Sequence, residues 1–255
     1  MEGAAILSSR GRGRVRAATI VMGGLLGLVV LRAVSYAAQP AAVAALVTNA
    51  DHHIYMEAAA RIRAGGPLYP AWQLAGPYGL GARPELYPPP TILLLVVPMS
   101  YLPDVVWWLA PLAIIAASIW YWRPTLVGWA AVLACLAPPW GWDGVLAGGL
   151  FMYVAAFVAL GTRWPAFFAG VLLKPSLLPF ALSRVRPRSW WIAVAVVGAV
   201  SLAMLPAWVD YVRVLSNLNE GGILYSVHNV PLVLIPVAAW LGRGRQDLMT
   251  NPTER

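Results

Sequence analysis

Charge is what this chain has least of. Only 11% of its 255 residues are Asp, Glu, Lys or Arg, about half the share of an ordinary soluble domain, while 60% are hydrophobic and the mean hydropathy is +0.69. That balance excludes a soluble globular domain. Cysteine is almost absent: Cys135, alone in an apolar run, excludes a disulfide framework and a thiolate metal centre. Lysine occurs once, as Lys174, against 17 arginines. There is no GxGxxG, no GxxxxGK[ST] and no HExxH, so the sequence offers no nucleotide-binding loop and no zinc-protease helix. No cofactor is implied, and a divalent cation stays open.

What remains reads as an all-α, polytopic membrane protein. Apolar runs long enough to approach the roughly 20 residues of a span fall at about 17–38, 89–103, 104–122, 125–140, 145–161, 165–183, 190–208 and 230–241. Thirteen Trp and ten Tyr suit the two membrane interfaces. The net charge of +8 sits in arginine clusters at span ends, the positive-inside pattern, and calls for no nucleic-acid partner. Arg10, Arg12, Arg14 and Arg16 precede Ala17–Val34, which reads as a retained signal anchor with a cytoplasmic N-terminus.

Eight crossings place Arg184, Arg186, Arg188, Arg243 and Arg245 inside, and the loops 48–88 and 209–229 outside. The expected organisation is a basic N-terminus (1–16), one membrane domain (17–241) and a cytoplasmic tail (242–255). A second arrangement makes 89–103 and 165–183 re-entrant or interfacial; it puts Arg123 and Arg163 inside and the Trp140–Gly144 turn outside. Both arrangements agree on the two large loops.

The first loop is the long polar island. It opens on Asp51-His52-His53 and closes on Tyr87-Pro88-Pro89-Pro90. Tyr55, Ala58, Ala59 and Ile62 recur at helical spacing, predicting a short helix over 54–63 that Gly65-Gly66-Pro67 terminates. Asp51 has two readings, a carboxylate capping this helix or a general base at the membrane boundary. Adjacent histidines at a helix start point apart, so a shared metal is not expected; one of them is expected to meet a phosphate or a sugar hydroxyl.

Lys174, in the middle of an apolar segment, would cost about 2.5–3.5 kcal/mol to insert. It either snorkels to an interface or serves a lipid phosphate. Arg61, Arg63 and Arg83 are loop cations. Asp210, Arg213, Asn217, Asn219, Glu220, Ser226, His228 and Asn229 form a second polar island, read as a sugar-contacting rim or a solvated loop. Asp143 lies in an aromatic turn, Trp140-Gly-Trp-Asp143-Gly.

The pattern Asp51-x-x-x-Tyr55-x-x-Ala58-Ala59-x-x-x-x-x-Gly65-Gly66-x-Leu68-Tyr69, then Tyr87-Pro88-Pro89 and an apolar run ending Leu102-Pro103, resembles the polyprenol-phosphate-mannose-dependent α-mannosyltransferases. These are integral membrane glycosyltransferases of the GT-C superfamily; related members use an arabinose donor. Lys174-Pro175 and Tyr225-Ser226 to Asn229 also look like family features. The resemblance spreads over about 17–235, with its specific part in 51–90.

It implies a GT-C-like fold in a bacterial plasma membrane, a polyprenyl-phosphate-sugar donor and a lipid-linked or cell-envelope glycan acceptor. Asp51, at the motif position of the family's catalytic base, would deprotonate the acceptor hydroxyl while lipid phosphate leaves with inversion. Together with the loop reading, the expected donor-phosphate and substrate contacts are His53, Tyr55, Arg61, Tyr87, Lys174, Ser226, His228 and Asn229. Family members carry further spans beyond the point matching Arg255, so the resemblance implies either a shortened member or a partner subunit that supplies the missing spans. The other class is a non-catalytic lipid-carrier-binding or transporter-like protein of the same fold.

Overall fold

The computed structural model describes residues 50–137, 144–219 and 230–243. The 17–38 segment, the N-terminal arginines, Asp143, Glu220, Ser226, His228, Asn229 and Arg245 lie outside the described residues. The fold is all-α: among the described residues there is no strand, only two isolated bridges, Tyr78 with Leu218 and Pro124 with Arg243.

The loop helix α1 runs Ala50–Arg63. It begins four residues earlier than the periodicity predicts and so takes Asp51 into its first turn, where the free N–H groups favour a carboxylate. It buries Tyr55, Ala58 and Ala59, the expected face, and ends through Gly65 at φ 77°, a left-handed turn that glycine enters without Cβ strain. A short α2 (Ala71–Ala75) follows, then α3 (Pro89–Met99), which loosens into a π-helical turn over Ile92–Val96.

Next come α4 (Asp104–Trp122), α5 (Leu126–Leu136) and α6 (Phe151–Arg163). Ten of the 13 residues of α6 are buried. It is apolar nearly all round and fills the centre of the bundle, as such a helix must. A 3-10 run, Pro165–Leu173, packs on it. The chain continues as α7 (Arg188–Ala203), α8 (Leu205–Ser216) and α9 (Val230–Leu241).

The bundle has two ends of opposite character. At one, Trp122 Nε1 donates to Thr162 Oγ1 (2.8 Å), Arg184 Nη1 donates to the Thr162 carbonyl (3.0 Å), and Arg243 lies 5.0 Å over the Trp122 ring. Arg163 lies 5.5 Å over Tyr121. Six described arginines gather here: 123, 163, 184, 186, 188 and 243. The five described acids, Asp51, Glu57, Glu85, Asp104 and Asp210, all belong to the other end.

That polarity decides how two segments run. The 89–103 stretch is held at the acidic end on both sides: Tyr87 before it meets Tyr55, Tyr101 near its close lies under Arg63, and Asp104 after it is 3.8 Å from His52. The 165–183 stretch leaves the arginine end, reaches Lys174, and returns to Ala181, whose carbonyl accepts from Trp190 Nε1 at 2.9 Å. Neither runs from one end of the bundle to the other, the path that a crossing in the eight-span expectation would take. Within 165–183, Pro175 and Pro179 are the physical reason, because each removes a donor that a continuous helix needs, whereas Pro165 only opens the 3-10 run.

Two more expectations change. The 190–208 run is broken at Met204, where α7 and α8 meet at 82°, and 209–216, expected as loop, is helical. Of the described helices, α4 alone is long and apolar enough to cross a bilayer by itself; α7 and α8 would make a second if counted as one bent span. Its 19 residues reach about 28 Å, whereas the 11–13 residues of α5, α6 and α9 reach only about 16–20 Å.

Candidate active site

Asp51 is partly buried at the acidic end of the bundle. Gly149 makes room for it, since a Cβ there would stand 3.0 Å from Asp51 Oδ2 and 2.3 Å from Phe151 Cε1. Burial raises the Asp51 carboxyl above its ordinary value, and the positive charge of Lys174 opposes that rise. Lys174, brought here at the tip of the re-entrant 165–183 stretch, is 4% exposed. Its backbone leaves helical geometry, at φ −130° and ψ 85°, because Pro175 follows and disfavours a helical predecessor. Lys174 therefore does not snorkel; it is a buried cation facing a carboxylate.

Aromatic rings complete the cradle. Lys174 Nζ lies 5.1 Å from the Tyr87 ring centroid and 5.9 Å from that of Phe151, the geometry of a desolvated cation on π faces. Tyr55 donates its hydroxyl hydrogen to Tyr87 Oη (2.6 Å), and Tyr69 Oη donates to the Tyr87 carbonyl (2.6 Å). Thr91 donates to the Leu173 carbonyl, clamping the start of α3 onto the residue before Lys174. Four sites the sequence singled out separately, Asp51, Tyr55, Tyr87 and Lys174, are thus one constellation.

Others fall elsewhere. His53 is on the opposite face of α1 from Tyr55, exposed, with Nε2 3.5 Å from Glu57. Arg61 is turned into the loop instead of towards Lys174. Its guanidinium pairs with buried Glu85 at 2.6 Å and donates to the Pro67 and Leu68 carbonyls at 2.9 and 2.8 Å. Burial pushes the Glu85 carboxyl up while Arg61 pulls it down. His52 is enclosed instead by Trp107 and Trp108, with ring centroids 5.3 and 4.8 Å away, and burial lowers its pKa. Among the described residues no three His, Cys, Asp or Glu side chains converge to hold a metal.

Sequence reasoning missed the supports. Gln73 is fully buried; its Oε1 accepts from the Glu85 N–H (3.2 Å), and its Nε2 donates to the Glu85 carbonyl and the Tyr78 hydroxyl (3.3 Å each). Tyr78 Oη donates onward to the Val214 carbonyl at 2.5 Å. Asn217 Nδ2 donates to the Gln73 carbonyl at 2.8 Å, and the Tyr78 and Asn219 N–H groups close the Tyr78–Leu218 bridge at 2.9 and 3.0 Å. The two polar islands, expected on the same side of the membrane, therefore meet directly through α8. Their polar residues within apolar sequence were the available signal, but not their pairing.

No protein-family model, curated protein or solved structure matches this chain. What the site can do follows from its own chemistry. A carboxylate with a raised pKa can accept a proton near neutral pH. A buried cation can stabilise a departing anion. Aromatic faces suit the apolar side of a sugar ring or the first isoprene of a lipid.

Proposed function

We propose that this is a multi-pass membrane glycosyltransferase of the polyprenyl-phosphate-sugar-dependent, GT-C type, working on the extracytoplasmic side of a bacterial plasma membrane. The observation that carries the proposal is the opposition of Asp51 and Lys174, a partly buried carboxylate and a buried ammonium beside one aromatic cradle. The charge polarity of the bundle supports the orientation: an arginine end without described acids fits the cytoplasmic face, leaving the Asp51 end outside.

In this reading the Asp51 carboxylate removes the proton from an acceptor hydroxyl as its oxygen bonds to the anomeric carbon of the donor sugar. The bond from that carbon to the phosphate oxygen breaks, and the lipid phosphate leaves as an anion onto Lys174. Configuration inverts, and no covalent enzyme intermediate is needed. Before donor binds, burial raises the Asp51 carboxyl and Lys174 opposes that rise, favouring the ionised form. The sugar is proposed as mannose, with arabinose the other candidate, and the acceptor as a lipid-linked or cell-envelope glycan. Arg61 and His53 are left out of the donor contacts because Glu85 and Glu57 engage them.

The test is transfer of radiolabelled sugar from polyprenyl phosphate by the purified protein in nanodiscs. Transfer that depends on Asp51 supports the enzyme. Binding of the lipid phosphate without transfer would favour a lipid-carrier-binding protein.

A further inference from the structure

After the 82° corner at Met204, α8 presents three faces instead of two. Tyr211 and Val214 face the protein: the Tyr211 ring stacks 6.1 Å from Tyr69, and Val214 is fully buried with its carbonyl bonded to Tyr78. Asp210 and Arg213 make a charged edge. The third face carries Leu205, Val209 and Val212, which recur at helical spacing and are each about 60% exposed. An apolar stripe this bare is not stable in water, and the chain continues it. Trp191, Ile192, Val196 and Leu202 on α7 are 58–72% exposed, so one apolar surface runs up α7 and around the corner onto α8.

We propose that α8 is an interfacial helix, lying along the extracytoplasmic surface of the bilayer. Leu205, Val209 and Val212 enter the headgroup–acyl boundary, and Asp210 and Arg213 remain in water. This rests on the membrane reading above and goes beyond it. Three features select lipid as the occupant: the continuity with the α7 surface, the near-right-angle turn out of the α7 direction, and a charged edge between the water side and the protein side. A helix with one apolar and one polar face and low net hydrophobicity lies in the interface and does not cross it.

The position has a consequence for the site. Through Tyr78, Asn217 and Tyr211, α8 is bonded to the loop that also carries Gln73, Glu85 and Tyr87. The bilayer surface thus sets the depth of the loop, and a lipid-borne substrate meets Lys174 at a fixed height.

Spin labels on single cysteines, in a Cys135→Ala background reconstituted in phosphatidylcholine nanodiscs, test this by collision with oxygen and with an aqueous nickel chelate. Labels at Val209 and Val212 should collide severalfold more with oxygen than with nickel, and labels at Asp210 and Arg213 should show the reverse. A label at Val196 on α7 is the reference for lipid. Nickel access at Val209 equal to that at Asp210, with Val196 still shielded, would overturn the interfacial helix and leave the membrane protein intact. Dipolar broadening between Val209 labels would also overturn it, in favour of a contact between two copies. Nickel access at Val196 would sink the membrane reading itself.

Discussion

Lys174 Nζ rests 5.1 Å from the centre of the Tyr87 ring, joining the tip of a re-entrant segment to the end of a polar loop 87 residues earlier in the chain. Neither residue is informative alone. A lone lysine in an apolar run reads as a snorkelling cation, and Tyr-Pro-Pro-Pro reads as a loop exit. Together with Asp51 they form the group on which the proposed proton and phosphate chemistry rests.

The first prediction concerns Asp51. Asp51→Asn keeps the shape and an acceptor oxygen, so a role limited to the first turn of α1 would cost about 1 kcal/mol or less. A general base would lose about 10²–10⁴-fold in transfer rate with the fold unchanged. Glu57→Gln, on the exposed face beside His53, serves as the control and should transfer normally. Wild-type transfer by Asp51→Asn would unseat the base.

The pH profile separates two roles of Lys174. Transfer needs the carboxylate form of Asp51, so the rate should fall as pH drops through the raised Asp51 pKa, above the ordinary carboxylate range. Lys174 favours the ionised form. Lys174→Gln removes that help, so the acid limb should move to higher pH while donor affinity weakens. An unmoved limb would mean that the ammonium does not act on Asp51.

Arg61 and Glu85 hold the loop, and the proposed reaction gives them no chemical step. Arg61→Gln strands a buried carboxylate and should lower stability by up to about 3 kcal/mol, the low end for buried pairs, since Arg61 keeps 23% exposure. The double change Arg61→Gln with Glu85→Gln should recover part of that loss in a thermal melt. A double variant less stable than Arg61→Gln alone would show that the pair is not the brace.

How much of this could be read from residues follows from what carries the signal. The all-helical class and the buried face of α1 come from periodicity, which is local, and the structure bears both out at Tyr55, Ala58 and Ala59. Whether 165–183 and 89–103 cross or turn back stayed open in the sequence, because hydropathy counts apolar residues but not direction. Lys174-Pro175 marks a turn that only tertiary contacts reveal. The meeting of Gln73 with Asn217 spans 144 positions, and no window along the chain contains it.

The opposite end offers a test of packing. Gly242 abuts Gly128 so closely that a Cβ on Gly242 would stand 2.3 Å from the Gly128 Cα, and the Gly242 carbonyl accepts from both the N–H and Oγ1 of Thr125 at 2.8 Å. Backbones this close need small residues, as at membrane helix interfaces. Gly242→Val should cost at least the roughly 1–3 kcal/mol of overpacking, seen as a lower melting temperature in detergent. Gly198→Val on α7, where a Cβ meets nothing within 4 Å, should leave the melt unchanged. Equal stability of the two variants would remove α5–α9 contact as a strut of the bundle.

The final prediction distinguishes the two ways of threading the membrane. Eight crossings put Arg123 on the same side as the Asp51 loop, whereas re-entrant 89–103 and 165–183 segments put it with Arg186. The bundle favours the latter, since Trp122 beside Arg123 lies under Arg243 and bonds to Thr162, which also receives Arg184. In a Cys135→Ala background, Ala75→Cys on the loop should react with a membrane-impermeant maleimide added to sealed right-side-out cells. Arg123→Cys and Arg186→Cys should react only after permeabilisation. The six arginines at that end supply the reason, because moving them across the membrane opposes the positive-inside bias. Labelling of Arg123→Cys in intact cells while Arg186→Cys stays protected would restore the eight-crossing topology. Labelling of both, with Ala75→Cys protected, would invert the protein and place Asp51 in the cytoplasm, where no polyprenyl-phosphate sugar of the extracytoplasmic leaflet could reach it.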